Sequence, residues 1–579
     1  MLTRSQEQTL PAVRVPTAGT FVMAVILLTL GFYFLYPVFL IGLNSFNTTD
    51  SLLATPVYGL DNWRSAFSQP DLFRAVGNTF LIFGVQLAIG FPIAVAIAWS
   101  LARVRMPGTY GLEFLFWVAY LVPNISITIG WMLLMDPVLG FLNRAVAWLP
   151  FIDSGPFNIF SVPGIIWVHI VGSTIPSGVI LLTPAFRNMD VTLEEAARVS
   201  GSSSLRTMLR VTLPVMIPPM VVVFALRMVR MFESFETEQL LGVPFGFFVY
   251  STKIFELVRD APPQYGSATA LGSITLVLVA LIIPVQRWLL TRRRYTTVTG
   301  SFKPGRVDLG SWQWVAFSAI VLVLVLLIVA PVLSLLLGSF MRRAGIFILR
   351  PAYTLDHWQF VLTDPVFLNS LKNTLWLATT ASIFSPLLFS ILAYIIVRTK
   401  WIGRGALDSL IWVSGVIPGI LAGLGLLWMF VGTPVLRPLY GTLIPLIIVV
   451  IIQGNTTGVQ ISKAFFLQMG ADLEEQARVS GAGWWATYFK IWLRLMMPTL
   501  VLLAVMNFMF AATTTSSIIL LAPRGTMTLS ILALEFAAPG VGMREAAGIV
   551  SLITLFMAVG MALAARAFGL RLGIRERRY

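Results

Sequence analysis

The chain has 579 residues, of which 57% are hydrophobic and only 11% charged, and its mean hydropathy is +0.85. Soluble domains carry roughly 25% charged residues, so the composition excludes a chain built mainly of water-soluble domains. The absence of cysteine excludes disulfides, thiol catalysis and cysteine metal sites, and the net charge of +15 reads as cytoplasmic-loop Lys and Arg rather than a nucleic-acid surface.

Apolar runs of about 20 residues, long enough to cross a hydrocarbon core of about 30 Å, recur from end to end. The first lies near 20–44, too long for the core of a cleavable signal, and is read as a retained span. Eleven more follow near 76–101, 111–135, 163–185, 214–236, 267–290, 313–338, 373–397, 407–431, 441–465, 498–520 and 545–567. This predicts an all-α polytopic membrane protein of about twelve spans. With the N-terminus inside, 26 of the 40 Lys and Arg fall in cytoplasmic segments and 12 outside, leaving Arg227 and Arg230 within a span. The clusters at Arg292-Arg293-Arg294 and at Arg575, Arg577 and Arg578 then lie inside, with both termini cytoplasmic.

The spans form two copies of one unit. Asn78-Thr79, Arg103 and Pro123 recur 295 residues later as Asn373-Thr374, Arg398 and Pro418. Leu193-Glu194-Glu195-Ala196-Ala197-Arg198-Val199-Ser200-Gly201 recurs 280 residues later as Leu473-Glu474-Glu475-Gln476-Ala477-Arg478-Val479-Ser480-Gly481. The change of offset places about 15 extra residues in the first half, most simply in the outer loop near 136–163, where 142–149 is amphipathic. The predicted organisation is a first half over 1–290, a polar basic linker over 291–311 and a second half over 312–579, each half with about six spans in the same topology. Pro123 and Pro418 are expected to kink spans 3 and 9.

The repeated charged segment lies in the cytoplasmic loops near 188–214 and 468–497. Thr192 and Glu195 have capping-box spacing, Asp472 and Glu475 the equivalent with aspartate, and Gly201 and Gly481 suit a left-handed helix stop. A second amphipathic helix follows each. A connector lying on the membrane surface would account for one such hairpin. Two at equivalent positions, both with a polar face kept, point to a shared external contact.

These hairpins resemble the EAA loops of type I binding-protein-dependent ABC-importer permeases, whose pattern is E-A-A, three residues, G, nine residues, then I-x-L-P. The first copy supplies Glu195, Ala196, Ala197, Gly201, Val211, Leu213 and Pro214; the second supplies Glu475, Gln476, Ala477, Gly481, Ile491 and Leu493, with Arg494 in place of the proline. The resemblance implies that Glu195, Ala196, Ala197, Gly201, Glu475, Ala477 and Gly481 form coupling helices docked on two copies of a cytoplasmic ABC ATPase, with a periplasmic or extracellular binding protein delivering substrate. ATP and magnesium would belong to the ATPase, with no cofactor or metal bound by this chain. None of the six lysines follows a glycine, so the chain lacks the Gly-Lys pair of a standard P-loop. The membrane implied is the bacterial inner membrane.

Ionisable groups within spans are candidates for function. Span 5 carries Arg227, Arg230, Glu233 and Glu236, with Arg230 and Glu233 spaced to pair, while Thr513 and Ser516 occupy the corresponding places in span 11. A lining of carboxylates and hydroxyls suits a polar cation. An internally neutralised network is the alternative. Phe232-Glu233-Ser234-Phe235-Glu236 with Leu241-Gly242-Val243-Pro244 resembles the ferric-iron permease branch, and the fusion of both halves resembles the ferric-iron and thiamine branches. Thiamine, polyamine or phosphonate import remain open within the class, and an ion-coupled secondary transporter outside it. His169 is expected to be a hydrogen-bonded packing residue, His357 a loop residue of little consequence, and no Ser-His pairing is expected.

Overall fold

The computed structural model describes residues 17–49, 55–149, 155–190, 192–291, 307–415, 417–470, 472–538 and 540–571. Arg292-Arg293-Arg294, most of the 291–311 linker and the three C-terminal arginines lie outside the described residues. Eight helices are long and apolar enough to cross a membrane: Gly19–Asn44, Leu72–Arg103, Val162–Arg187, Met208–Glu233, Trp312–Phe340, Pro365–Arg398, Ile444–Gln468 and Arg544–Ala564. Two bent pairs occupy the predicted positions of spans 3 and 9, Met497–Thr513 that of span 11, bent by 74° from the hairpin helix Trp484–Leu495, and Tyr265–Thr291 that of span 6.

Spans 3 and 9 are broken rather than kinked. Thr109–Leu121 meets Asn124–Met135 at 94°, and Arg404–Ser414 meets Gly419–Gly432 at 110°. Each second helix begins directly after Pro123 or Pro418. Proline offers no N–H and forces the preceding residue out of helical geometry; Val122 is accordingly extended, at ψ 129°. The break frees each second helix to pack on the opposite half. Asn124–Met135 lies on the C-terminal part of span 7, and Gly419–Gly432 lies on span 1.

Span 5 also ends sooner than predicted. Its α-helix stops at Val229, a tight turn covers Arg230–Glu233, and the chain reverses into a short helix, Glu236–Leu241. In the second half the corresponding helix stops at Thr513, so Ser516 falls beyond it. Each half then re-enters with a further helix, Tyr250–Arg259 and Leu529–Ala537. The repeated Asn-Thr pairs anchor these. Thr79 Oγ1 accepts from the Tyr250 N–H at 3.0 Å and Thr374 Oγ1 from the Leu529 N–H at 2.8 Å. Asn78 donates to the Phe248 carbonyl and Asn373 to those of Gly525 and Met527. A polar pair inside an apolar span thus satisfies backbone groups that a helix start leaves unpaired.

The first-half insertion forms a short outer helix, Phe141–Val146. Buried Asn143 ties it down, donating to the carbonyls of Asp136 and Phe157 and accepting from the Phe157 N–H. Asp136 also meets Arg544 of the second half at 2.6 Å.

Candidate functional site

The repeated cytoplasmic helices are Thr192–Val199 and Asp472–Val479. Gly201 and Gly481 adopt φ +82° and +79°, conformations open to glycine at little cost. The N–H groups of Ser202 and Ala482 close on the carbonyls of Ala197 and Ala477 at 3.0 and 2.9 Å, a Schellman stop in both copies. No hydrogen bond of the expected capping boxes, Thr192 with Glu195 or Asp472 with Glu475, occurs among the described residues. Thr192 and Asp472 are themselves the first helical residues, and the Thr192 N–H is taken by the Asp190 carboxylate.

Each Glu-Glu pair divides its tasks. Glu194 and Glu474 turn inward, 3% and 6% exposed. Glu194 accepts from Thr212 Oγ1 at 2.7 Å, and Glu474 from the Tyr394 hydroxyl at 2.7 Å and from Arg478 at 3.1 Å. Glu195 and Glu475 stay exposed. Beside them Val199 and Val479 are each 90% exposed, and Leu193 and Leu473 are exposed as well. Leu193, Ala196 and Val199 recur at three-residue spacing, which puts them on one helix face. Ala196 is exposed and Ala197 half-buried, whereas Ala477 is buried. The result is a small apolar ridge flanked by carboxylate on an otherwise polar helix. The identity of the two glutamates depends on helical phase against the bundle, which spacing alone leaves open. The exposed valines were legible as repeated apolar residues in a charged segment.

An arginine fixes the root of each hairpin. Arg103, at the end of span 2, donates to the Met189 carbonyl at 2.5 Å, and Arg398, at the end of span 8, donates to those of Phe466 and Met469 at 2.8 and 2.6 Å. A cation at a helix C-terminus satisfies orphan carbonyls and meets the negative end of the macrodipole.

The membrane-interior residues are arranged differently from expectation. Arg230 and Glu233 interact electrostatically, but no contact within 4.0 Å joins them among the described residues; Arg230 is exposed and Glu233 half-buried. Arg227 has hydroxyl partners instead, Ser177 at 2.8 Å, Thr174 at 3.0 Å and Ser173 at 3.1 Å. Glu236 is half-buried, as are Thr513 and Ser516; Thr513 Oγ1 donates to the Met509 carbonyl. The helix Glu236–Leu241 touches Leu529–Ala537 of the second half, but no hydrogen bond joins Thr513 or Ser516 to the first-half set among the described residues.

Glu238, fully buried, carries more than its place beyond the span implied. It lies 2.7 Å from His169 Nε2 and accepts from Ser234 Oγ at 2.5 Å. His169 is thus a hydrogen-bonded interior residue. The pairing expected to be missing is present, with Ser234 Oγ 3.3 Å from His169 Nε2. The serine proton is directed at the carboxylate, so this geometry does not activate a nucleophile. His357 Nε2 lies 3.2 Å from the Arg342 carbonyl. No group of three or more His, Asp and Glu placed to hold a metal ion occurs among the described residues.

The family of binding-protein-dependent transport system inner membrane components matches the chain twice, over residues 89–295 and 358–570. A putative ferric transport system permease protein of Haemophilus influenzae is 23% identical over 514 residues, 87% of this chain and 78% of that one. A ferric transport system permease protein of Actinobacillus pleuropneumoniae is 24% identical over 516 residues, 86% and 71% of the two chains. The spermidine/putrescine permease protein PotB of Escherichia coli is 27% identical over 266 residues, 45% of this chain and 93% of its own. A solved bacterial alginate ABC transporter, in complex with its oligosaccharide-bound periplasmic protein, aligns with 42% of this chain and 85% of its own at a TM-score of 0.36 and 22% identity.

Proposed function

The chain belongs to the family of binding-protein-dependent transport system inner membrane components, the permeases of ABC importers, and from that premise we propose that it couples two ATPase subunits to import through Thr192–Val199 and Asp472–Val479. One observation carries this reading: at equivalent places in both halves, a polar helix with the same glycine stop offers Val199 or Val479 and Glu195 or Glu475 to an outside partner. A valine left 90% exposed on each short helix gains from burial in a groove, about 25 cal/mol per Å² of apolar area.

Glu195, Ala196, Ala197, Gly201, Glu475, Ala477 and Gly481 serve as the docking segments, and ATP with magnesium is bound and hydrolysed by the partner. When the ATPase dimer closes, the docked hairpins move. Arg103 and Arg398 pass that displacement to spans 2 and 8, and the two halves rock about their shared interface. Both termini are cytoplasmic, in a bacterial inner membrane, and a periplasmic binding protein presents the substrate at the outer face. The chain is read as a first half over 1–290, a linker over 291–311 and a second half over 312–579, a reading supported by the two family matches over 89–295 and 358–570.

The substrate is ferric iron, a reading supported by two relatives matched over most of their length. As the importer's cargo, the ion would pass through rather than reside. Glu233 and Glu236, half-buried where the first half reverses, would offset its charge, with Thr513 and Ser516 on the other side. Polyamine import is the second reading, favoured by the match to the E. coli permease.

The test is hydrolysis and uptake in vesicles carrying the reconstituted importer. Glu195→Ala with Glu475→Ala should abolish substrate-stimulated hydrolysis and uptake together. Undiminished coupling in the double variant overturns the proposal. Uptake of labelled ferric iron against labelled spermidine, with the matching binding protein, separates the two substrates.

A further inference from the structure

The two coupling hairpins are built on the same plan, but their buried glutamates are tied to different places. Glu194 is bonded to Thr212, 18 residues along the same chain segment, at the base of the span that the hairpin leads into. Glu474 is bonded to Tyr394, 80 residues away in the last turn of span 8. A second hydroxyl bond reinforces it, between Tyr488 of the hairpin and Ser390, one turn earlier in span 8.

The first half lacks the chemistry for either bond. Residues 95 and 99 stand where Ser390 and Tyr394 do, and they are Val95 and Trp99. Met208 takes the place of Tyr488. Among the described residues the buried Trp99 indole N–H has no hydrogen-bond partner, and neither has Glu194 Oε2. Val95 packs instead in an apolar cluster with Phe186, Met189 and Met216. Apolar contact is non-directional and leaves register free, whereas hydrogen bonds to a buried carboxylate fix it and are costly to break.

Aromatic packing stiffens the second hairpin further. The Tyr394 ring lies 5.6–5.7 Å from those of Phe466, Trp484 and Tyr488, and Arg398 caps Trp492 at 5.0 Å. Thr212 occupies the place of Trp492 in the first half.

We infer that Tyr394 is a positioning residue that locks the second docking helix to span 8, so the stroke of one ATPase subunit enters span 8 directly. The stroke of the other reaches span 2 at the hairpin root, through Arg103 and Met189, while the docking helix itself is bonded to Thr212. This rests on the docking reading above and adds inequality to it: two identical ATPase subunits drive two unequal levers, and the Tyr394 lever sets how much substrate moves per ATP.

Hydrogen–deuterium exchange on the whole importer in lipid nanodiscs tests this, beside the ratio of substrate moved to ATP hydrolysed. Residues 472–479 should exchange more slowly than 192–199 by about tenfold, the scale of one charge-assisted hydrogen bond. Tyr394→Phe should remove that difference and lower the transport ratio several-fold while the ATPase stays bound. Tyr488→Phe, which keeps the ring, should do the same to a lesser degree, and it replaces Tyr394→Phe if that variant misfolds. Thr212→Val should speed exchange at 192–199 and leave the transport ratio within about twofold. Equal exchange of the two helices, or an unchanged ratio in both tyrosine variants, overturns the inference. Failure of the docking reading registers separately, as no protection of either helix when the ATPase binds.

Discussion

Gly130 of the first half sits directly against Pro331 of the second, so closely that a β-carbon at 130 would come within 2.6 Å of the proline Cβ and 2.7 Å of its carbonyl oxygen. The relationship is mirrored across the molecule, where a β-carbon on Gly425 would lie 2.9 Å from the Pro37 carbonyl oxygen. Each broken span thus sends its second helix into the opposite half, glycine on proline. Small residues permit such close backbone approach in membranes, where packing rather than hydrophobic exclusion drives helix association.

Any side chain at these glycines must push the halves apart. Gly130→Val and Gly425→Val should each destabilise by about 1–3 kcal/mol, the usual range for overpacking, and lower the melting temperature of the purified protein. Gly31→Ala and Gly84→Ala, where nothing lies within 4 Å, serve as controls and should leave it unchanged. Equal melting temperatures across all four variants would remove the interlock.

Arg103 and Arg398 make the next prediction. Arg398→Gln removes two charged donations to the carbonyls of Phe466 and Met469, and Arg103→Gln removes that to Met189. Each should cost about 1.5–3 kcal/mol locally, the range for hydrogen bonds to charged groups. The loss should show as protease sensitivity near 189–201 or 469–481. Unaltered cleavage would mean that the arginines do not hold the hairpin roots.

Glu238 is the interior residue most exposed to loss. Glu238→Ala leaves His169 and Ser234 without their shared acceptor in a fully buried site. Breaking a buried pair costs about 3–5 kcal/mol, so thermal denaturation should show a large loss. Glu238→Gln, which keeps an acceptor oxygen, should lose much less. Similar melting for the two variants would contradict this account of the site.

Span 5 separates transport from coupling. Glu233→Gln with Glu236→Gln should reduce uptake of a cationic substrate while leaving basal hydrolysis by the assembled importer intact. Unchanged uptake removes these carboxylates from the path.

Much of this was legible in the residues. Length and hydropathy placed the eight long apolar helices and the broken spans 3 and 9, and the duplicated Asn-Thr, Arg and Pro positions each acquired a structural task. Gly201 and Gly481 were readable as stops because only their backbone conformation matters. What escaped depended on neighbours distant in sequence. Hydropathy cannot tell a kink at Pro123 from a 94° break, since the outcome is decided by what the freed helix packs against. Glu194 and Glu195 are alike until the bundle sets the helical phase. The spacing of Arg230 and Glu233 predicted a pair, but spacing of that kind presumes a continuous α-helix, and the helix ends at Val229.

The central claim is that both hairpins are ATPase docking points, and the native lack of cysteine makes one experiment direct. Val199→Cys and Val479→Cys, introduced singly, are treated with a short thiol–amine cross-linker in the assembled importer. The account predicts that each cysteine captures an ATPase subunit, and that the two together capture two. Capture at neither position, in a complex that still hydrolyses ATP and transports, would contradict it.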